Sequence, residues 1–146
     1  MATIARCDCG ALVIEVSGPP VVQLTCHCHE CQAFSGQDYV DGAFFRKDCC
    51  KIQGETRPQR LKGGTGSDKV HHACAACGTP LYVQVDALNG AVAILASRLS
   101  PFEFKSEAHV WTSQKAEGVE LQDDIERTLE RPPDHMVERM IKGFWS

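Results

Sequence analysis

Nine cysteines in 146 residues fall into clusters whose spacing suits metal chelation. Cys7-Asp8-Cys9-Gly10 is a C-x-C-G, Cys26-His27-Cys28-His29-Glu30-Cys31 is a C-x-C-x-x-C, and Cys74-Ala75-Ala76-Cys77-Gly78 is a C-x-x-C-G. A C-x-x-C pair closes a tight knuckle that aims two thiolates at one point, and a following glycine supplies the positive φ such turns often need. Two knuckles far apart in sequence can close one tetrahedral four-sulfur site. Cys7 and Cys9 with Cys74 and Cys77 would do this, and would tie the N-terminal segment to the middle of the chain. Cys26, Cys28 and Cys31 are then left together. Three protein ligands leave a fourth position for water or substrate, which is the pattern of a reactive zinc rather than a structural one. The spacing therefore predicts two Zn2+ sites, one closed and one open and labile. The competing arrangement is a second closed site, its fourth ligand drawn from His27, His29, His71, His72, Cys49 or Cys50. His27 and His29 themselves read as exposed loop histidines on a knuckle. Cys49 and Cys50 read as strand thiols that bind no metal, one buried and one semi-exposed, since free Cys behaves mostly as a small hydrophobe.

Composition narrows the classes. A disulfide framework fits poorly, because the cysteine count is odd and several spacings are too tight for comfortable pairing. The formal net charge of -4 argues against a nucleic-acid partner, which calls for a basic excess. No apolar run reaches the length of a membrane span. The opening MATIARCDCG has no apolar signal core, so a cytoplasmic protein with reduced thiols is the expectation. The apolar share, 43%, is that of an ordinary globular chain and excludes disorder as the default.

The elements that must hold these clusters are mostly strands. Leu12, Ile14 and Val16 alternate within 11–16, and Gly18-Pro19-Pro20 ends that strand. The segment 21–25 is a second strand that delivers the CHCHEC cluster, followed by a short helical turn over 29–34 that stops at Ser35-Gly36. Further strands are expected at 39–45, 49–53, 57–62, 69–73, 80–85, 91–96 and 108–112, with 80–85 and 91–96 paired. Gly63-Gly64-Thr65-Gly66-Ser67 is a turn without the lysine of a phosphate-binding loop. Met136, Val137, Met140 and Ile141 recur at helical spacing, so a short amphipathic helix is expected over 133–144. No linker is long enough to split the chain, and one zinc-binding domain over 1–146 is expected.

The order C-x-C-G, CHCHECQAFSG, CxxCGTPL resembles the family of glutathione-dependent formaldehyde-activating enzymes, also called the centromere protein V family. His109, Trp111, Ser113 and Lys115 are similar to that family's His-x-Trp-x-Ser-x-Lys segment, and the resemblance runs from Cys7 to about Pro132. It implies an all-β fold of several coiled sheets around zinc, of the β-tent type, here with a short C-terminal helix. It implies a structural zinc on Cys7, Cys9, Cys74 and Cys77, and a catalytic zinc on Cys26, Cys28 and Cys31. It also implies a carbon–sulfur lyase type of activity, condensation of glutathione with formaldehyde to S-hydroxymethylglutathione.

The chemistry is physically coherent. Zinc acidifies a bound thiol as it acidifies bound water, so a small thiol such as glutathione would attack a small aldehyde as a thiolate. Three thiolates around a divalent ion leave a single negative charge, which keeps the incoming sulfur nucleophilic. The carboxylates of glutathione would want cations, and Arg46, Lys47, Lys51, Arg57, Arg60 and Lys62 lie between the metal motifs. Each taken singly reads as part of a solvated face. The alternative from another class is a non-catalytic thiol carrier or zinc-stabilised interaction module, which binds without accelerating a reaction. A methionine sulfoxide reductase of the B type would need a reactive cysteine off the metal in an Arg-Tyr-Cys-like segment. Phe45-Arg46-Lys47-Asp48-Cys49-Cys50 does not supply one.

Overall fold

A computed structural model describes residues 2–63 and 66–146. Gly64 and Thr65 of the expected glycine-rich turn lie outside the described residues. The strands in chain order are β1 (Thr3–Arg6), β2 (Val13–Val16), β3 (Val22–Cys26), β4 (Val40–Phe45), β5 (Cys50–Gln53) and β6 (Thr56–Lys62). They continue with β7 (Asp68–Cys74), β8 (Pro80–Val85), β9 (Ala91–Leu95), β10 (Leu99–Ser100), β11 (Ala108–Val110) and β12 (Glu126–Arg127). Two α-helices, α1 (His29–Ser35) and α2 (Asp134–Trp145), complete the regular structure together with short 3₁₀ turns. The fold is mostly β-sheet with a short C-terminal helix.

Among the described residues the strands form a four-stranded sheet, β10-β1-β2-β5, and an eight-stranded sheet, β12-β11-β3-β4-β9-β8-β7-β6. Pairing in the larger sheet is antiparallel from β3 to β6, whereas β11 runs parallel to both β3 and β12. The 11–16 strand begins two residues later than expected, yet Leu12, Ile14 and Val16 are all buried on one face. They meet Ala43, Phe45, Leu81, Val92 and Ile94 of the larger sheet in one core, and buried Cys7 and Cys74 sit in the same cluster. The first cysteine site is thus built into the seam where the two sheets pack.

A second core lies between α2 and the larger sheet. Met136, Met140 and Phe144 of α2 pack on Val22, Leu24, Ala91, Ala108 and Val110. The side-chain periodicity of the helix made that contact readable, and each fully buried apolar side chain contributes about 1.5–3 kcal/mol. Gly143 is required by the approach, because a Cβ there would lie 2.5 Å from Val21 Cγ1. Arg46 donates to the Gly143 carbonyl at 2.6 Å and to the Ser146 carbonyl at 3.2 Å, so it satisfies the open carbonyls at the end of α2.

Candidate metal and thiol sites

The four-cysteine cluster is assembled by two glycine-ended turns, one closed three residues on and the other four. Gly10 donates to the Cys7 carbonyl at 3.2 Å and Gly78 to the Cys74 carbonyl at 2.9 Å. Both glycines hold φ near +79°, at 79° and 78°, the left-handed region each turn demands. The Sγ atoms of Cys7, Cys9, Cys74 and Cys77 all lie within 4.8 Å of one another. Cys7 to Cys9 is 3.6 Å and Cys9 to Cys74 is 3.8 Å between sulfurs. A tetrahedral zinc with bonds of about 2.3 Å has sulfur–sulfur edges of about 3.8 Å. Donor chemistry and spacing therefore both fit zinc. The Leu12 amide donates to Cys7 Sγ at 3.2 Å, and Thr79 Oγ1 lies 3.0 Å from Cys77 Sγ. Burial raises the Cys7 thiol, but the Leu12 amide and the neighbouring thiols outweigh it and bring it down. The Thr79 contacts push Cys77 down to about 5, whereas Cys9 is driven up to about 12 among its thiol neighbours although the Ala11 amide favours its thiolate. Four sulfurs this close ionise together only around a cation, and the cluster's spacing could hold one.

The second cluster hangs from the end of β3. Cys26 closes the strand, Cys28 is the N-cap of α1, and Cys31 lies in the helix's first turn. Cys28 Sγ accepts from the Cys31 amide at 3.3 Å, the role an N-cap oxygen plays in an ordinary helix. All three sulfurs lie within 4.8 Å of one another. Hydrogen bonds from Cys26, then Cys31, push Cys28 down to about 2, and the Cys28 contact, with burial, pushes Cys26 up to about 12 although Cys31 favours its thiolate. Cys31 is raised as well, first by Cys26. The three thiols compete for ionisation, and a divalent ion would take their protons' place. Among the described residues no fourth His, Cys or carboxylate donor joins this group.

Four residues beyond the cysteines shape the second site. Gln32 donates to the carbonyls of His27 at 2.8 Å and Gln114 at 2.9 Å, and Gln114 Oε1 accepts from the His29 amide at 2.7 Å. These bonds pin the start of α1 to the segment after β11. Lys69 of β7 is a half-buried cation paired with Glu30 at 3.2 Å. Burial lowers its pKa, but Cys28, Cys31 and Glu30 outweigh that and raise it. Arg46 is taken by Asp48 and the end of α2, and Arg60 and Lys62 by Asp68, so those members of the basic group are structural. Lys69 is a cation beside the trio, and it lies on β7, past the Arg46-to-Lys62 group that the sequence pointed to.

His27 departs from the expectation of an exposed loop residue. It is 0% exposed. The parallel pairing of β3 and β11 continues one residue past Cys26, where the His27 amide donates to the Val110 carbonyl at 3.1 Å. That contact turns the ring inward beside His109, and Tyr39 packs on it at 5.4 Å between ring centroids. His27 Nε2 lies 2.9 Å from His109 Nδ1, and His109 Nε2 lies 3.0 Å from Asp123 Oδ2. Burial, then the neighbouring His109, push His27 down to about 4, so it is neutral near pH 7. The hydrogen bond from His109 holds Asp123 below the usual carboxylate range. His29 is exposed, as expected. His71 is buried against Phe34 at 4.5 Å, and His72 stacks on Tyr82 at 4.4 Å. Neither joins the trio. Cys49 ends a 3₁₀ turn rather than lying in the strand, and both it and Cys50 are half-buried and outside either cluster.

A crevice of about 370 Å³ lies over this pair of rings, lined by His27, Tyr39, His109, Leu121 and Asp123. A larger one of about 480 Å³ lies beyond Tyr39, between Asp38, Asp41 and Arg98, and holds none of the cysteines. The smaller crevice holds no cysteine either; it differs in containing His27, the residue between Cys26 and Cys28.

A crystal structure of a Rhodobacter sphaeroides protein from a structural genomics programme shares the fold, with a TM-score of 0.52 at 20% sequence identity. That likeness covers 68% of this chain and 90% of the other. The search of curated proteins returns no match. Residues 2–114 match the sequence model described as glutathione-dependent formaldehyde-activating enzyme, ending at Gln114, short of the Pro132 limit expected from the motifs. With both cysteine clusters, His27, His109 and Gln114 inside that stretch, the chain belongs to the glutathione-dependent formaldehyde-activating enzyme family.

Proposed function

We propose that this protein adds a small thiol, glutathione foremost, to formaldehyde or a similar small aldehyde in the cytoplasm. In this reading Cys7, Cys9, Cys74 and Cys77 hold a structural zinc, and Cys26, Cys28 and Cys31 hold a second one with a position left for the substrate sulfur. The observation that carries it is the second cluster: three sulfurs within 4.8 Å and no fourth protein donor among the described residues. A zinc bound there would keep an incoming thiol ionised at neutral pH. The reaction balances without a co-reactant. The thiol proton is given up, a carbon–sulfur bond forms at the carbonyl carbon, the π pair moves to oxygen, and that oxygen takes up a proton.

The protein's own groups prepare this step. Gln32 and Gln114 fix the start of α1, and with it the spacing of Cys28 and Cys31. Lys69, half-buried and paired with Glu30, would offset the excess negative charge of three thiolates. The test is cobalt substitution followed by titration. Addition of glutathione to wild-type protein should change the sulfur-to-cobalt charge-transfer bands, while S-methylglutathione should leave them fixed. Formation of S-hydroxymethylglutathione should run faster with zinc-loaded protein than without it. Binding without acceleration would establish a carrier instead, and bands that glutathione leaves unchanged would replace the open site by a closed one.

A further inference from the structure

The outer face of α2 is used neither by the core nor by the cysteine sites. Its inner ridge, Met136, Met140 and Phe144, is buried on the larger sheet. One residue on from each lies a second ridge, Val137, Ile141 and Trp145, whose members stand four residues apart and therefore share a face of the helix. Burial falls along it: Val137 is half-buried, whereas Ile141 is 49% and Trp145 55% exposed. The Trp145 ring is nonetheless held, because its Nε1 donates to the Ala87 carbonyl at 3.2 Å. Scattered apolar side chains on a surface are ordinary, but an apolar ridge in register that ends in a held tryptophan has the make-up of an interface anchor.

The charges beside the ridge say what it meets. Asp134, His135 and Arg139 of α2 are taken by Arg131, Glu126 and Glu107. Glu138 and Lys142, one further step round the helix, are exposed and make no ion pair among the described residues. They carry opposite charges and stand four residues apart on the same edge of the ridge. A two-fold axis that sets two copies of α2 antiparallel keeps that edge on one side and reverses its order. Glu138 then faces the partner's Lys142, and Lys142 faces the partner's Glu138, so the edge is complementary to itself. The helix lies beyond residue 114, outside the stretch that matches the family.

We propose that the ridge of Val137, Ile141 and Trp145 is a homodimer interface, in which two copies of α2 pack antiparallel with Glu138 and Lys142 paired across the two-fold axis. The dimer is independent of the thiol-addition reading above. The 12 residues of α2 span about 18 Å, so the contact is smaller than a standard interface and a dissociation constant of about 10–100 µM is expected.

Sedimentation equilibrium of the zinc-loaded full chain tests it, run from about 1 µM to about 500 µM so as to bracket that constant. Wild-type protein should pass from monomer to dimer. Ile141→Glu leaves the inner ridge intact and should stay monomeric, with wild-type far-ultraviolet circular dichroism and zinc content. Glu138→Lys alone and Lys142→Glu alone should each weaken the dimer about ten-fold, since each turns two rim attractions into repulsions. The double reversal should restore it, and an equimolar mixture of the two single variants should form heterodimer more readily than either forms homodimer. A wild-type monomer throughout the range overturns the proposal, and co-sedimentation of that monomer with phosphatidylcholine–phosphatidylglycerol vesicles would give the ridge to a lipid surface instead. A dimer that survives Ile141→Glu, or single reversals without effect, places the interface elsewhere and overturns it as well.

Discussion

Replacing one cysteine in each cluster by serine should have opposite consequences, and the difference follows from where each cluster sits in the chain. The four-cysteine cluster joins sulfurs 65 residues apart, Cys9 and Cys74. Closing a loop of that length costs about 3.7 kcal/mol by the logarithmic loop-closure estimate. The trio closes only the short Cys26–Cys31 segment, about 1.4 kcal/mol on the same scale. Losing the first clip should therefore cost about 2 kcal/mol more than losing the second, before any difference in packing. For a chain of 146 residues, 1 kcal/mol moves the melting temperature by about 2–4 °C. Cys77→Ser should thus melt about 5–9 °C below Cys28→Ser. The real gap should be wider, because Cys7 and Cys74 are buried in the inter-sheet core and cannot relax into water. Circular-dichroism melts read the stability, and inductively coupled plasma mass spectrometry reads zinc per chain. Cys28→Ser should keep one zinc and the wild-type far-ultraviolet spectrum. Equal melting temperatures for the two variants, or two zinc equivalents in Cys77→Ser, would refute the assignment of the four-cysteine cluster as the structural clip.

Three further perturbations follow from the geometry. Gly54→Ala should destabilise by about 2–4 kcal/mol in urea denaturation, because φ there is 111° and the new Cβ would overlap the Ala11 carbonyl and lie 2.9 Å from Leu12 Cα. Its zinc should also be lost more readily to chelator, since the displaced Leu12 amide is a donor to Cys7. His71 is held down to about 4, by burial first, so below pH 6.5 the unfolded chain takes up a proton that the folded ring refuses until about pH 4. Stability should then fall as pH drops through that window, and His71→Phe should reduce the slope by about 1.4 kcal/mol per pH unit in chemical denaturation at fixed zinc. Replacing Cys49 and Cys50 together by serine should leave two zinc equivalents bound, because neither belongs to a cluster; loss of one equivalent would show otherwise.

Much of the strand inventory was readable because its signal is local. Alternation placed the second strand from Leu12, Ile14 and Val16, and helical spacing placed α2 from Met136 and Met140. The knuckles were readable for the same reason, since ligand spacing and turn glycines lie within a few residues. β1, β10 and β12 were not foreseen. The last two are only two residues long, and their pairing is decided by neighbours distant in sequence, Ile4 and Ala5 for β10 and Ala108 and His109 for β12. The cation at the trio was missed by the same mechanism. Lys69, on β7, pairs with Glu30 of α1, whereas Arg60 and Lys62 of β6 pair with Asp68.

His27 is the most instructive residue, because its sequence setting argued for the opposite environment. A histidine between two ligand cysteines looks like loop. Its burial is created 82 residues away, where the parallel ladder of β11 against β3 brings His109 within 2.9 Å. A parallel neighbour needs a long crossover, so no local pattern announces it. Asp123 carries even less signal, being one carboxylate in an acidic stretch beyond the matched family segment. The cysteines that would bind metal are thus legible as a motif, whereas the buried histidine pair beside them is a property of the sheet order. The division is physical: a chelate is made by short-range turns, and a buried acceptor exists only once distant strands have excluded water from it. His109→Ala should therefore take the partner from the His27 ring while leaving the cysteine spacing untouched, so zinc per chain should equal that of the wild type; loss of zinc would show that the buried ring is needed to seat the cluster.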